Sequence, residues 1–269
     1  MEKEKVIRTA PEELGSDMGI ITEGVLKAGK LALKRFGKDT EMQAKGFQEG
    51  IVTQTDKLVD DFLIKFLTNL FPNEKILTEE SYDPSQELGD SYFVVDPIDG
   101  TNHFARSLPD WSIVVAHVKN NTVDMATIYA PVVKELYFAK KGKGAYKNGR
   151  RMQVSNRKNI GIQIGRDTVR FFNRMDIVEK AMKQSQMHIV VGSTELALAR
   201  LANGQIEIGI NMGQPVWDFA AGMLMIQEAG GKSTNFSGEE NFDLSGKKTN
   251  NYVASNVLHH TLGLSMVKS

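Results

Sequence analysis

Residues 91–106 read SYFVVDPIDGTNHFAR, and no other stretch narrows the possibilities for this chain so far. Residues 91–95 have the composition of a buried strand, and the chain runs from them straight into Asp96-Pro97-Ile98-Asp99-Gly100-Thr101. Two carboxylates therefore stand three positions apart at a strand's end. Pro97 presets its own φ and brings no N–H, while Gly100 permits a backbone shape or a close ligand approach that a side chain would block. The expected turn aims both acids, and the carbonyl between them, at one point. Converging carboxylates must share a proton, take a cation or stay apart in water, and a hard divalent ion is the natural partner. Asp-Pro and Asp-Gly are also ordinary turn dipeptides, so these six residues alone leave both readings open.

Composition removes several function classes. Lys plus Arg equals Asp plus Glu at 33 each, so no overall field draws nucleic acid or an anionic membrane, and an anionic ligand needs a local site. The absence of cysteine excludes disulfides, thiolate metal sites and Cys nucleophiles together. An apolar share of 41% and 25% charged residues over 269 positions fit an ordinary globule with one large core or two lobes. The first residues, MEKEKVIRTAPEE, lack a signal-peptide core and no run reaches membrane-spanning length, so a soluble cytoplasmic protein is expected.

Along the chain, apolar spacing predicts a long helix over 11–36, a short hairpin around 41–53, and a second helix beginning at Thr55-Asp56 and ended by Pro72. Asp56 at that start reads as a capping carboxylate or a ligand. Residues 75–78 form a strand that ends in Glu79-Glu80, a pair that elsewhere is commonly a solvated rim. Segments 111–118, 122–129 and 135–139 predict an antiparallel meander. Residues 140–152, KKGKGAYKNGRRM, read as a solvated Asn-Gly hairpin rather than a nucleic-acid patch. Strands and helices then alternate: strand 160–164, helix 169–185, strand 188–191, helix 194–202, strand 207–212. Gly192-Ser193-Thr194 falls where a strand hands over to a helix, either a plain N-cap or a place for phosphate. Residues 217–229 predict a small-residue-rich helix with Asp218 in its first turn, followed by strands 232–236 and 252–255 and a helix 259–267.

Together, Val52-Thr53-Gln54-Thr55-Asp56-Lys57, Thr78-Glu79-Glu80-Ser81, Asp96-Pro97-Ile98-Asp99-Gly100-Thr101 and Trp217-Asp218-Phe219-Ala220-Ala221-Gly222, with Glu228-Ala229-Gly230-Gly231 following, resemble the inositol monophosphatase family. The resemblance implies an α/β (α+β) fold, a layered αβαβα sandwich of the sugar-phosphatase kind. With no repeat, low-complexity tract or linker along the chain, a single phosphatase domain over 1–269 with lobes of about 1–150 and 151–269 is expected, and the resemblance adds a homodimer. It further implies a Mg²⁺-dependent phosphate monoesterase using two or three ions to assist attack by an activated water. Carried over residue by residue, Glu79, Asp96, the carbonyl of Ile98, Asp99 and Asp218 would hold metal, with Asp56 supporting a further ion. Catalysis would fall to Glu79, Thr101 and Asp56, with Thr101 and Glu79 positioning the water. Ile98, Asp99, Gly100, Thr101, Gly192, Ser193, Thr194, Asn211 and Asp218 would line the substrate, the N–H groups of Gly100 and Thr101 receiving its phosphate. Scattered oxygen ligands suit magnesium's octahedral preference.

Two departures bear on substrate. His103 stands where the family commonly has an asparagine, and reads as a packed or hydrogen-bonded residue. Asn211, seven positions before Asp218, stands where inositol-hydrolysing relatives carry a glutamate, so a ring hydroxyl would meet a neutral group. The expected partner is a small phosphorylated polyol or sugar, inositol 1-phosphate first. Fructose 1,6-bisphosphate, histidinol phosphate and 3′-phosphoadenosine 5′-phosphate are the rivals. From a different class, a regulatory relative would bind RNA or protein through the 140–151 hairpin. No membrane or nucleic-acid partner follows from the leading reading.

Overall fold

The computed structural model describes residues 10, 14–38, 43–46, 50–165 and 173–268. The first part of the chain supplies α1 (Ser16–Leu33), β1 (Gln43–Gly46), β2 (Gly50–Val52), α2 (Gln54–Leu70), β3 (Lys75–Thr78), β4 (Ser91–Asp99), α3 (Thr101–Ala105) and β5 (Ser112–Lys119). Then follow β6 (Thr122–Ala130), β7 (Glu135–Lys140), β8 (Gly144–Lys147), β9 (Arg150–Arg151), β10 (Gly161–Ile164), α4 (Met175–Gln184) and β11 (Met187–His188). The chain finishes with α5 (Thr194–Ala202), β12 (Ile208–Gln214), α6 (Ala220–Glu228), β13 (Lys232–Thr234), β14 (Asn250–Ser255) and α7 (His260–Val267).

Strands β3 to β9 form one sheet in sequence order, with β3 parallel to β4 and every later neighbour antiparallel. Successive side chains on a strand point to opposite faces, and here both faces are apolar. Phe93, Val95, Ile113, Val115, Leu136 and Phe138 pack under α1 and α2, where Met18, Ile21, Val25, Val59 and Leu63 meet them. Tyr92, Val94, Val114, Ala116, Tyr137 and Ala139 face the opposite way, onto α5 and α6. Residues 220–226 of α6 are buried all round, which is what a helix lying between two sheets requires. The second sheet runs β11-β10-β12-β14-β13. Its Tyr252 and Ala254 close the central core, and its Ile162, Ile208, Ile210 and Val253 pack outward onto α4 and α7. The layers are thus helices, sheet, helices, sheet, helices, as the resemblance implies.

Several boundaries differ from expectation. The first helix starts at Ser16, after Gly15 at φ 90°, and ends at Leu33; Phe36, read as its last apolar position, lies in the following turn and packs on Phe104 and Trp111 with ring centroids 5.7 Å away in each case. Residues 11–13 and 169–172, which begin two expected helices, and 41–42 and 47–49 of the expected hairpin lie outside the described residues. The strand expected at 188–191 is only Met187–His188, an edge pairing to β10 alone. The helix expected from 217 is broken: Val216–Asp218 is a 3₁₀ turn, Phe219 leaves helical geometry at φ −149°, and α6 begins at Ala220. Among the described residues no helix is long and apolar enough to cross a membrane.

Candidate active site

The parallel pairing of β3 with β4 puts Thr78 opposite Val95, and the Glu79 N–H donates to the Val95 carbonyl at 3.2 Å. Glu79 and Asp96 therefore leave two neighbouring strands abreast. Between Asp96 and Asp99 the register with β5 slips by one residue, since Asp96 pairs with Val114 and Asp99 with Ser112. That extra residue is a β-bulge at Pro97-Ile98, where proline could not have donated a ladder bond. Its effect is on phase. In an unbroken strand Asp99 would share a face with Phe93 and Val95; with the bulge, Ile98 joins their core under α1 and α2, and Asp99 turns to the face that Asp96 occupies. Gly100 then takes φ 96° to start α3, with its α-carbon so close to the Gly192 carbonyl that a Cβ would lie 3.0 Å from that oxygen.

Asp218 arrives from the 3₁₀ turn before α6. One carboxylate oxygen each from Glu79, Asp96 and Asp218 lies within 4.8 Å of the others. Asp96 is 1% exposed, and its Oδ1 accepts no hydrogen bond among the described residues. Burial, then the charges of Glu79, Asp99, Asp218 and Asp56, pushes its carboxyl well above the usual range. A buried, unsatisfied anionic oxygen among like charges is the environment a divalent cation resolves, and an all-oxygen donor set suits Mg²⁺. The residues present fit that ion.

Asp99 is held differently. Its Oδ2 accepts the Ser193 hydroxyl at 2.5 Å and the Glu195 N–H at 2.7 Å, and its Oδ1 accepts the Thr194 N–H at 3.0 Å. Ser193 meanwhile caps α5 through the Leu196 N–H at 3.0 Å. The helix start that sequence offered to a phosphate is thus already taken by a carboxylate of the site. Oδ1, with one donor, keeps a lone pair for an ion.

Asp56 combines both readings given to it. With Thr53 it forms a capping box, accepting the Thr53 N–H at 2.9 Å and hydroxyl at 2.5 Å on Oδ2. On Oδ1 it accepts the Thr101 hydroxyl at 2.9 Å, which also lies 3.0 Å from the Ile98 carbonyl. Asp60, one turn on, accepts Ser81 at 2.6 Å and Thr78 at 3.3 Å, bracing both sides of Glu79.

Burial raises Asp56 to about 6, against 3.8 ordinarily, with its hydrogen bonds to Thr53 and Thr101 opposing the shift. Burial likewise raises Asp99 to about 6, against hydrogen bonds from Ser193, Glu195 and Thr194. Such groups bind protons more tightly when folded, so their contribution is most favourable below the unfolded value and is lost as pH rises through the folded one. In chelator, the stability advantage of Asp56→Asn over the natural chain should grow from pH 4 to pH 7, by on the order of 3 kcal/mol at most. Paired denaturant titrations across that range test it; a gap that shrinks with pH contradicts it.

His103 packs against the backbone of Gly192, where an added Cβ would lie 2.0 Å from Nδ1. That is the packed role expected of it, and it locks α3 to the segment carrying Ser193. Gly192→Ala should destabilise by about 1–3 kcal/mol. Combining it with His103→Ala should recover about 1 kcal/mol or more of that loss in a double-mutant cycle of thermal melts; strictly additive effects would contradict the contact. Asn211, on β12 and buried, donates to the Tyr252 hydroxyl at 3.0 Å. Burial first, then the charges of Glu195, Asp218 and Asp99 among others, pushes that phenol well above its usual range.

Sequence reading missed Ser112, Glu195 and Tyr252. Ser112 lies 2.9 Å from Ser193 through their hydroxyls. Glu195 is fully buried and binds the first N–H groups of α6. Nothing local signals any of them. Thr53, three residues before Asp56, carried the capping-box spacing.

A model of the inositol monophosphatase family matches residues 18–267. The chain belongs to the inositol monophosphatase family. This family member is 31% identical over 234 residues to a Thermotoga maritima protein named fructose-1,6-bisphosphatase/inositol-1-monophosphatase, covering 87% of this chain and 89% of that one. It is also 31% identical over 247 residues to the Nus factor SuhB of Escherichia coli, covering 89% of this chain and 91% of that one. A solved IMPase of Thermotoga maritima superposes with a TM-score of 0.84 at 29% identity, covering 93% of this inositol monophosphatase family member and 96% of that chain.

Proposed function

We propose that this protein is a Mg²⁺-dependent phosphate monoester hydrolase acting on a small phosphorylated polyol or sugar. The observation that carries the reading is the buried, unpartnered Oδ1 of Asp96 beside Glu79 and Asp218. Glu79, Asp96, the Ile98 carbonyl, Asp99 through Oδ1, and Asp218 would hold two or three ions. Mg²⁺, when bound, supplies neutralisation of the phosphate dianion and of the departing alkoxide.

The protein's own groups do the rest. Thr101 has one hydroxyl proton, and Asp56 is organised to accept it. The Thr101 oxygen then has lone pairs to receive a hydrogen bond from a water and fix its approach, with Glu79 at the same water. The N–H groups of Gly100 and Thr101 receive the phosphate. Gly192, Ser193 and Thr194 shape the site through His103 and Asp99, and Asn211 with Tyr252 offers neutral polar atoms to the alcohol half. The whole chain works as one domain with lobes near 1–150 and 151–269, as a homodimer in the cytoplasm.

Inositol 1-phosphate is the first candidate substrate, and fructose 1,6-bisphosphate gains support from the name of the Thermotoga relative. Histidinol phosphate and 3′-phosphoadenosine 5′-phosphate follow. Phosphate release across a panel of phosphorylated metabolites, with and without Mg²⁺, tests the reading; turnover at equal rate in chelator overturns it. The relative named Nus factor SuhB favours a second reading, a regulatory RNA- or protein-binding role. Lys141, Lys143, Arg150 and Arg151 are exposed on β7–β9 and their connections. RNA retention on filters at physiological salt, with no release from any panel substrate, would put that reading first.

A further inference from the structure

Glu195 lies in the first turn of α5 with 0% exposure. Its Oε1 accepts the Ala221 N–H at 3.0 Å and its Oε2 the Gly222 N–H at 2.6 Å. Those amides open α6, three and four residues after Asp218. Its own N–H donates to Asp99 Oδ2 at 2.7 Å. One residue therefore grips Asp99 by its main chain and the Asp218 segment by its side chain. Gly222 is what admits the carboxylate, because a Cβ there would come within 2.6 Å of Oε2.

Stability alone does not explain a further buried acid beside Asp99 and the Asp218 turn. Well-packed apolar groups of similar size are often as stable as buried polar or ionised ones. We propose that Glu195 is a positioning residue of the metal centre, fixing the separation between Asp99 and the Asp218 turn so that both present oxygens to a shared divalent cation. This rests on the site being the Mg²⁺ centre of a phosphatase.

The test compares the metal-free natural chain with Glu195→Gln, Glu195→Ala and Leu198→Ala. The last trims the same α5–α6 contact, where Leu198 faces Gly222, without touching the acids. Mg²⁺ binding is followed by calorimetry, folding by thermal melts, and phosphate release against Mg²⁺ concentration. Both Glu195 variants should weaken Mg²⁺ binding by about 10–100-fold and shift half-maximal activation in parallel. Turnover at saturating Mg²⁺ should stay within about threefold of the natural chain, the mark of lost ligand positioning rather than lost chemistry. Leu198→Ala should melt lower with unchanged Mg²⁺ affinity. Mg²⁺ affinity within about twofold of the natural chain in the Glu195 variants overturns the proposal, since supporting residues of a metal site act on affinity. A Glu195 variant unfolded in chelator should refold in millimolar Mg²⁺; one that stays unfolded overturns it too. If the natural chain binds no Mg²⁺, the phosphatase reading falls as well; if it binds and the variants match it, only the role of Glu195 falls.

Discussion

Asp96→Asn should abolish Mg²⁺-dependent phosphate release, by at least about 10³-fold, while making the metal-free protein more stable. The two effects have opposite signs because one group causes both. Asp96 is buried with an unpartnered oxygen, and Glu79, Asp99, Asp218 and Asp56 all raise the free energy of its charged form. Removing one partner of a balanced buried pair costs about 3–5 kcal/mol, whereas replacing buried charges by neutral groups is often stabilising by about 1–4 kcal/mol, so the sign depends on what remains. Here the remainder is four more acids, so the amide relieves repulsion, and a chain of this size should melt several degrees higher, at about 2–4 °C per kcal/mol. Adding Mg²⁺ should reverse the order. The natural chain gains stability by mass action as ions bind, and the variant does not. Melts of both proteins in chelator and in millimolar Mg²⁺, with phosphate release alongside, check all of this; a variant less stable than the natural chain in chelator would contradict it.

Thr101→Val should lower kcat by about 10²–10⁴-fold with KM and Mg²⁺ affinity little changed, and Thr101→Ser should restore most of the rate. Valine keeps the shape and removes the hydroxyl that links Asp56 to the water site. Fold loss is not expected, because Asp56 keeps its two bonds to Thr53 and hence the cap of α2. Steady-state kinetics at saturating Mg²⁺ separate the outcomes. A rise in KM with kcat intact would make Thr101 a binding group only.

The layered architecture and the meeting of Glu79, Asp96 and Asp218 were legible in the sequence, because strand runs, the Asp-Pro-Ile-Asp-Gly-Thr turn and the family blocks are all local patterns. What was not legible depends on register and on distant partners. The one-residue bulge that turns Asp99 onto the face of Asp96 is a property of the β4–β5 pairing, and neither strand alone signals it. The 3₁₀ turn at Asp218 interrupts what reads as continuous helical spacing, since periodicity does not report the break at Phe219. Gly192-Ser193-Thr194 carried the signature of a helix start correctly. Its occupant, the Asp99 carboxylate, comes from 94 residues upstream of Ser193. Glu195 gave no signal because an acid in the first turn of a helix is ordinary, and only packing against α6 makes it unusual.

Anomalous scattering from a crystal soaked in Mn²⁺ is the most direct measurement. The expected result is a peak about 2.0–2.3 Å from Asp96 Oδ1 and shared with Glu79 or Asp218, as hard-cation coordination requires. No peak beside Asp96, at a Mn²⁺ concentration that supports full phosphate release, would contradict a metal centre at the end of β4.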